Sequence, residues 1–171
     1  MTDDELIAAF ESTELPTEQF THSTHVRVGW WYLHRFPLPE ALARFSTGLQ
    51  RYAASKGANG KYHETITVAY MLIIAERVAD HPNWSWDQFA AAHPDLLVSK
   101  PSVLGRYYSD ALLASDRARR VFVMPDRMLD RDQQVPSGSV RHCASPLPCA
   151  ATQVRRARQA RIIRRSPSPT C

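Results

Sequence analysis

The sequence predicts an all-α fold: a single compact bundle of about five to seven helices, followed by a disordered C-terminal tail. Apolar side chains recur at spacings of three and four in several windows, whereas no alternating strand pattern is sustained. All 16 aromatic residues precede position 130. The chain therefore divides into a helical domain over 1–130 and a tail over 131–171.

The first four predicted helices are separated by breaks that contain proline or glycine. We expect helices over about 3–12, 21–36, 39–56 and 62–79. The third has a stripe of apolar residues along one face, namely Leu42, Phe45, Leu49 and Tyr52. The fourth is apolar nearly all round after its first turn, so we expect it at the centre of the bundle.

Shorter elements are predicted after the fourth helix. Ser85 and Gln88 have the spacing of a capping box, which predicts a helix that Pro94 stops. One last helix is expected over 109–120, with a serine cap. The segment 121–126 is expected to be extended and to pack back on the domain.

The basic character of the chain belongs to its tail. The formal net charge is +4, but 131–171 contain eight Arg and one acidic residue, whereas 1–130 contain 13 basic and 16 acidic residues. A segment without aromatics cannot offset the entropy of ordering itself. Three interpretations stay open: a basic arm that binds nucleic acid or another polyanion, a solvated tail without a partner, or the out-of-frame end of a coding sequence.

Neither a membrane span nor a secretory signal is expected. The longest nearly apolar run, 66–75, is too short to cross a bilayer. The acidic N-terminus lacks the basic region of a signal peptide. We therefore expect a cytoplasmic protein of bacterial type with no membrane partner, which contacts nucleic acid only through the tail, if at all.

Histidines supply the chemical pattern of the domain. His22 and His25 are three residues apart, which places both imidazoles on one face of a helix start. His63 and Glu64 stand at the start of the fourth helix. If these helix starts converge, the three imidazoles are candidate ligands of a divalent transition metal, Zn or Fe, with Glu64 as ligand or general base. Alternatively, the same side chains only cap helices and bond carbonyl groups.

Further polar residues are candidates for the lining of a pocket near the histidines. Thr67 lies one turn into the fourth helix, where its hydroxyl could orient a ligand. Arg106, Tyr107 and Tyr108 could close the pocket as donors to an anionic ligand. Lys61 could contact a phosphate or carboxylate. In the alternative interpretation the tyrosines pack in the core and the lysine is solvated.

Two segments resemble the paired motifs of an uncharacterised family of small bacterial helical proteins. Residues 20–26 read Phe-Thr-His-Ser-Thr-His-Val, and 61–67 read Lys-Tyr-His-Glu-Thr-Ile-Thr. They are similar to the family's Phe/Trp-Thr-His-x-x-His and Tyr-His-Glu-Thr-Ile-Thr. The resemblance covers about 5–128 and brings no established activity, but it implies that the three histidines and Glu64 belong to one pattern.

Three functions are compatible with this pattern. The first is metal-dependent hydrolytic or oxygen-dependent chemistry on a small molecule. The second is non-catalytic binding of a metal or a small ligand. The third is a helical interaction protein whose histidines are structural.

Overall fold

Helices form the regular structure of residues 1–127, which are the residues that this computed structural model describes. These residues contain no strand, so the all-α prediction is confirmed. The predicted boundary at 130, the tail over 131–171 and the three interpretations of it lie outside the described residues. The α-helices are α1 (Asp3–Glu11), α2 (His22–Arg35), α3 (Leu38–Ser55), α4 (Glu64–Asp80), α5 (Trp86–Ala92), α6 (Pro94–Leu97), α7 (Asp110–Leu113) and α8 (Asp116–Arg120); 3₁₀ helices span Asn59–Lys61 and Val103–Arg106.

Side-chain caps begin the helices close to the predicted positions. The hydroxyl of Thr21 accepts a hydrogen bond from a backbone N–H in the first turn of α2, and Ser85 and Gln88 form the predicted capping box of α5. At α4 an imidazole caps the helix instead: Nδ1 of His63 accepts from the backbone N–H of Ile66 at 3.3 Å. Each cap joins residues three apart, which is why sequence spacing can find them.

The C-terminal part of the domain has more helices than predicted, so the described residues contain eight rather than five to seven. Pro94 is the first residue of α6, a position where its missing N–H costs no helical hydrogen bond. The predicted last helix divides after Leu113, because the hydroxyl of Ser115 accepts from the N–H of Ala118 at 3.1 Å and begins α8.

α4 lies at the centre of the described helices, as predicted, and packs against α2, α3 and α8. One cluster of buried apolar side chains joins α4 to α5, α6 and the segments that follow, with Ile74, Phe89 and Leu96 at most 1% exposed. A second cluster joins α1 to α2 and α3 around Phe10 and Phe45. Within residues 1–127, no helix combines the length and the apolar character needed to cross a membrane.

Candidate functional site

A cavity of about 470 Å³ opens between the start of α2, the C-terminal half of α3 and the first turns of α4. This volume is within the range that holds small ligands. Most of the lining is aromatic or aliphatic: Phe20, Val26, Phe45, Leu49, Tyr52, Ala53, Ala58, Tyr62, Ile66, Tyr70 and Ile74. The polar residues of the lining are Thr17, His22, His25, Lys56, Lys61, His63 and Thr67.

The cavity brings the two histidine motifs together. His22 and His25 line it from the first turn of α2, and His63 lines it from the cap of α4. The two motifs are far apart in the sequence, but α2 packs directly on α4, and both helices begin at the cavity. The structure thus places all three predicted imidazoles in the lining of one cavity.

The ring of His22 is held by a backbone carbonyl and an aromatic neighbour. Its Nε2 lies 2.9 Å from the carbonyl oxygen of Leu96, and its ring meets the Tyr70 ring edge-on with 5.2 Å between centroids. A carbonyl only accepts, so Nε2 carries the proton and donates. In the neutral ring Nδ1 then has a lone pair, and no hydrogen bond within residues 1–127 uses that atom.

The ring of His25 is also held by a backbone carbonyl and an aromatic neighbour, but here Nδ1 rather than Nε2 is the donor. Nδ1 donates to the carbonyl oxygen of Thr21 at 2.6 Å, and the ring stacks on Phe20 with 3.8 Å between centroids. Burial lowers the pKa of His25 below its ordinary value, and the nearby His22 lowers it further, although the Thr21 carbonyl opposes the shift. In the neutral form of His25, Nε2 is then the acceptor.

His63 has no ring nitrogen left for a ligand. Nε2 donates to the carbonyl oxygen of Leu113 at 2.8 Å, while Nδ1 accepts from the N–H of Ile66. The side chain is 8% exposed. It therefore closes one wall of the cavity and ties the start of α4 to the end of α7.

A metal ion shared by the three imidazoles does not fit these contacts. In the described part of the chain, no group of three or more His, Cys, Asp or Glu side chains is arranged to hold a metal ion. His63 uses both ring nitrogens within the protein. The Zn or Fe site thus stays a prediction from the sequence, with Nδ1 of His22 and Nε2 of His25 as the donors left for it.

Glu64, predicted as ligand or general base, is not among the residues that line the cavity. Its carboxylate accepts a hydrogen bond of 2.8 Å from the hydroxyl of Tyr62, which does line it. Burial raises the pKa of Tyr62, and the hydrogen bond to Glu64 acts in the same direction. The carboxylate therefore orients a lining residue.

Of the further polar residues that the sequence offers as pocket candidates, Thr67 and Lys61 line this cavity, whereas Arg106, Tyr107 and Tyr108 do not. Arg106 lies 3.6 Å from the carboxylate of Asp95, and the buried Tyr108 donates its hydroxyl to the carbonyl of Val123 at 3.1 Å. Tyr107 packs on the core beside it. Their contacts are with α6, with the first core cluster and with the segment after α8, and none of the three lines the cavity.

Sequence reasoning missed the contribution of α3 to the cavity. Phe45 and Tyr52 belong to the second core cluster, as the apolar stripe predicts, and together with Leu49 they also line the cavity. Lys56 continues the same face one turn later and also lines it. The stripe followed by a lysine was the available signal, although a stripe alone does not distinguish a filled core from a cavity wall.

Comparison of the chain with protein-family models, with curated proteins and with solved structures gives no match. The resemblance drawn from the two histidine motifs stays a prediction.

Proposed function

We propose that this protein binds a small molecule with an apolar body in the cavity between α2, α3 and α4. The observation that carries the proposal is that both histidine motifs line one mostly apolar cavity of about 470 Å³. Sites for small molecules combine an apolar lining with a few polar groups that orient the ligand. Here the polar groups are the acceptor nitrogens of His22 and His25.

The two acceptors are supported by backbone contacts. The carbonyl groups of Leu96 and Thr21 each hold one nitrogen of an imidazole as a donor, which leaves the other nitrogen as an acceptor. An acceptor among apolar side chains favours a ligand that offers an O–H or N–H group to pair with it. The proposed ligand is therefore apolar with at least one hydrogen-bond donor.

The experiment uses anilinonaphthalene, an uncharged fluorescent probe with an apolar body and one N–H donor, and the full-length protein. Ala53→Phe fills the cavity from α3, and Ala54→Phe places the same side chain on the exposed neighbouring position. We expect saturable binding near one probe per chain, weakened about tenfold or more by Ala53→Phe and unchanged by Ala54→Phe. Thermal unfolding of both variants shows that they fold.

Equal binding by the two variants, or fluorescence that does not saturate, would contradict the proposal. The titration is repeated with a chelator to separate ligand binding from the metal site predicted by the sequence. Binding through hydrogen bonds and apolar contacts does not change when divalent metal is removed. Binding that is lost with chelator and restored by Zn or Fe would favour the metal site instead.

A further inference from the structure

The charges that line the cavity all have one sign. Lys56 and Lys61 are its charged residues among those that the structure describes, and neither an aspartate nor a glutamate lines it. The chain contains three lysines in total. Two of the three thus stand at this one cavity, in a domain whose residues 1–130 have more acidic than basic side chains.

Both lysines are available to a ligand. No ion pair within residues 1–127 includes either of them. The ammonium of Lys56 lies over the Tyr52 ring, 5.3 Å from its centroid, and that ring also lines the cavity. Both side chains are exposed, so their charges stand where the cavity opens to solvent.

The N-terminal ends of two helices add partial positive charge to that of the lysines. α2 has 14 residues and α4 has 17, and both present their N-terminal ends to the cavity through His22 and His63. The N-terminal end of a helix carries a partial positive charge. Glu64, in the first turn of α4, is the opposing charge, but its carboxylate is held by the Tyr62 hydroxyl and does not line the cavity.

We infer that the ligand of this cavity is an organic anion, with an apolar body among the aromatic side chains and its anionic group at Lys56 and Lys61. This inference rests on the proposed function and names the class of the ligand. The apolar wall of Phe45, Leu49 and Ile66 takes the body. The lysines at the opening take the anionic group and keep it partly hydrated, which lowers the cost of its desolvation.

The experiment compares two probes that differ by one charge: anilinonaphthalene and its sulfonate. Affinities are measured on the full-length protein, on the double variant Lys56→Gln/Lys61→Gln and on Lys100→Gln, which removes the third lysine, one that does not line the cavity. In the wild type at low salt we expect the sulfonate to bind about tenfold more tightly than the uncharged probe. Raising the salt concentration should reduce this preference, because it screens exposed charges.

The double variant should reduce the ratio of the two affinities to about one, whereas Lys100→Gln should leave it as in the wild type. A wild-type ratio of one or less, an unchanged ratio in the double variant, or an equal loss in Lys100→Gln would overturn the inference. These results differ from failure of the proposed function, in which the uncharged probe does not bind saturably to any of the proteins.

Discussion

The hydroxyl of Thr65 donates a hydrogen bond of 2.9 Å to the carbonyl oxygen of Val121, 56 residues later in the chain. The same hydroxyl oxygen accepts from the N–H of Val123 at 3.1 Å. Thr65 is 0% exposed. One buried side chain thus attaches the extended segment after α8 to the first turn of α4, next to the wall of the cavity.

Replacing this hydroxyl by a methyl group tests that attachment. Thr65→Val keeps the size of the side chain but takes this partner from the buried N–H of Val123 and from the carbonyl of Val121, so we expect a loss of about 1–3 kcal/mol in the free energy of unfolding. Thr47→Val makes the same change on the exposed face of α3 and should alter the free energy of unfolding by less than about 0.5 kcal/mol. Urea denaturation measures both, and an equal effect of the two would contradict this role.

His63 can be tested as a helix cap separately from its contact with Leu113. His63→Ala removes both hydrogen bonds and should lower the free energy of unfolding by about 1–3 kcal/mol. His63→Asn supplies a good capping side chain that is too short for the second contact, and should restore about 1 kcal/mol of the loss. If alanine and asparagine are equally destabilising in denaturant, the imidazole does not stabilise α4 as its cap.

The crossing of α1 and α3 depends on a glycine. A Cβ at Gly48 would lie 2.7 Å from Cε1 and 2.9 Å from Cζ of Phe10, a buried ring in the second core cluster. Gly48→Ala gains helix propensity of about 1 kcal/mol, but we expect the displaced ring to cost more, so that the melting temperature falls. The Cβ of Gly60→Ala would have no neighbouring atom within 4 Å, so this variant should leave the melting temperature unchanged. A melting temperature raised by Gly48→Ala would show that the ring moves freely.

The lowered pKa of His25 predicts a loss of stability in mild acid. As pH falls through the ordinary value of 6.5, the unfolded chain takes up a proton that folded His25 binds less readily, so the free energy of unfolding decreases. Above that pH the effect vanishes. Burial lowers the pKa of His93 too and acts in the same direction, so the measured quantity is the difference between wild type and His25→Gln. We expect the variant to lose less stability than the wild type between neutral and mildly acidic pH; parallel curves would contradict the shift.

The predicted domain boundary can be tested by truncation. Both buried apolar clusters lie within residues 1–127, so a chain that ends at residue 130 should unfold in one cooperative transition at nearly the same temperature as the full chain. Circular dichroism during heating measures this. Loss of cooperativity would mean that part of the tail completes the core.

The helices could be predicted because their signals are local. The caps of α2 and α5 depend on side chains three residues apart, and the stripe on α3 depends on residues on adjacent turns of one helix. Prediction was incomplete where helices are short: α6 was not predicted, and the predicted last helix is divided into α7 and α8, which have four and five residues. Over so few residues, hydrophobic periodicity carries little information.

For the candidate site, the sequence by itself determined that His22 and His25 share one face of a helix start and that His63 begins another helix. Only the tertiary structure decided that these helix starts meet and that the end of α3 lines a cavity. It also decided that the carbonyl groups of Leu96 and Leu113 accept hydrogen bonds from the rings of His22 and His63. Helix caps depend on neighbours within four residues, whereas a cavity depends on how α2, α3 and α4 pack against one another across tens of residues. The spacing of residues within a single helix therefore does not predict the cavity.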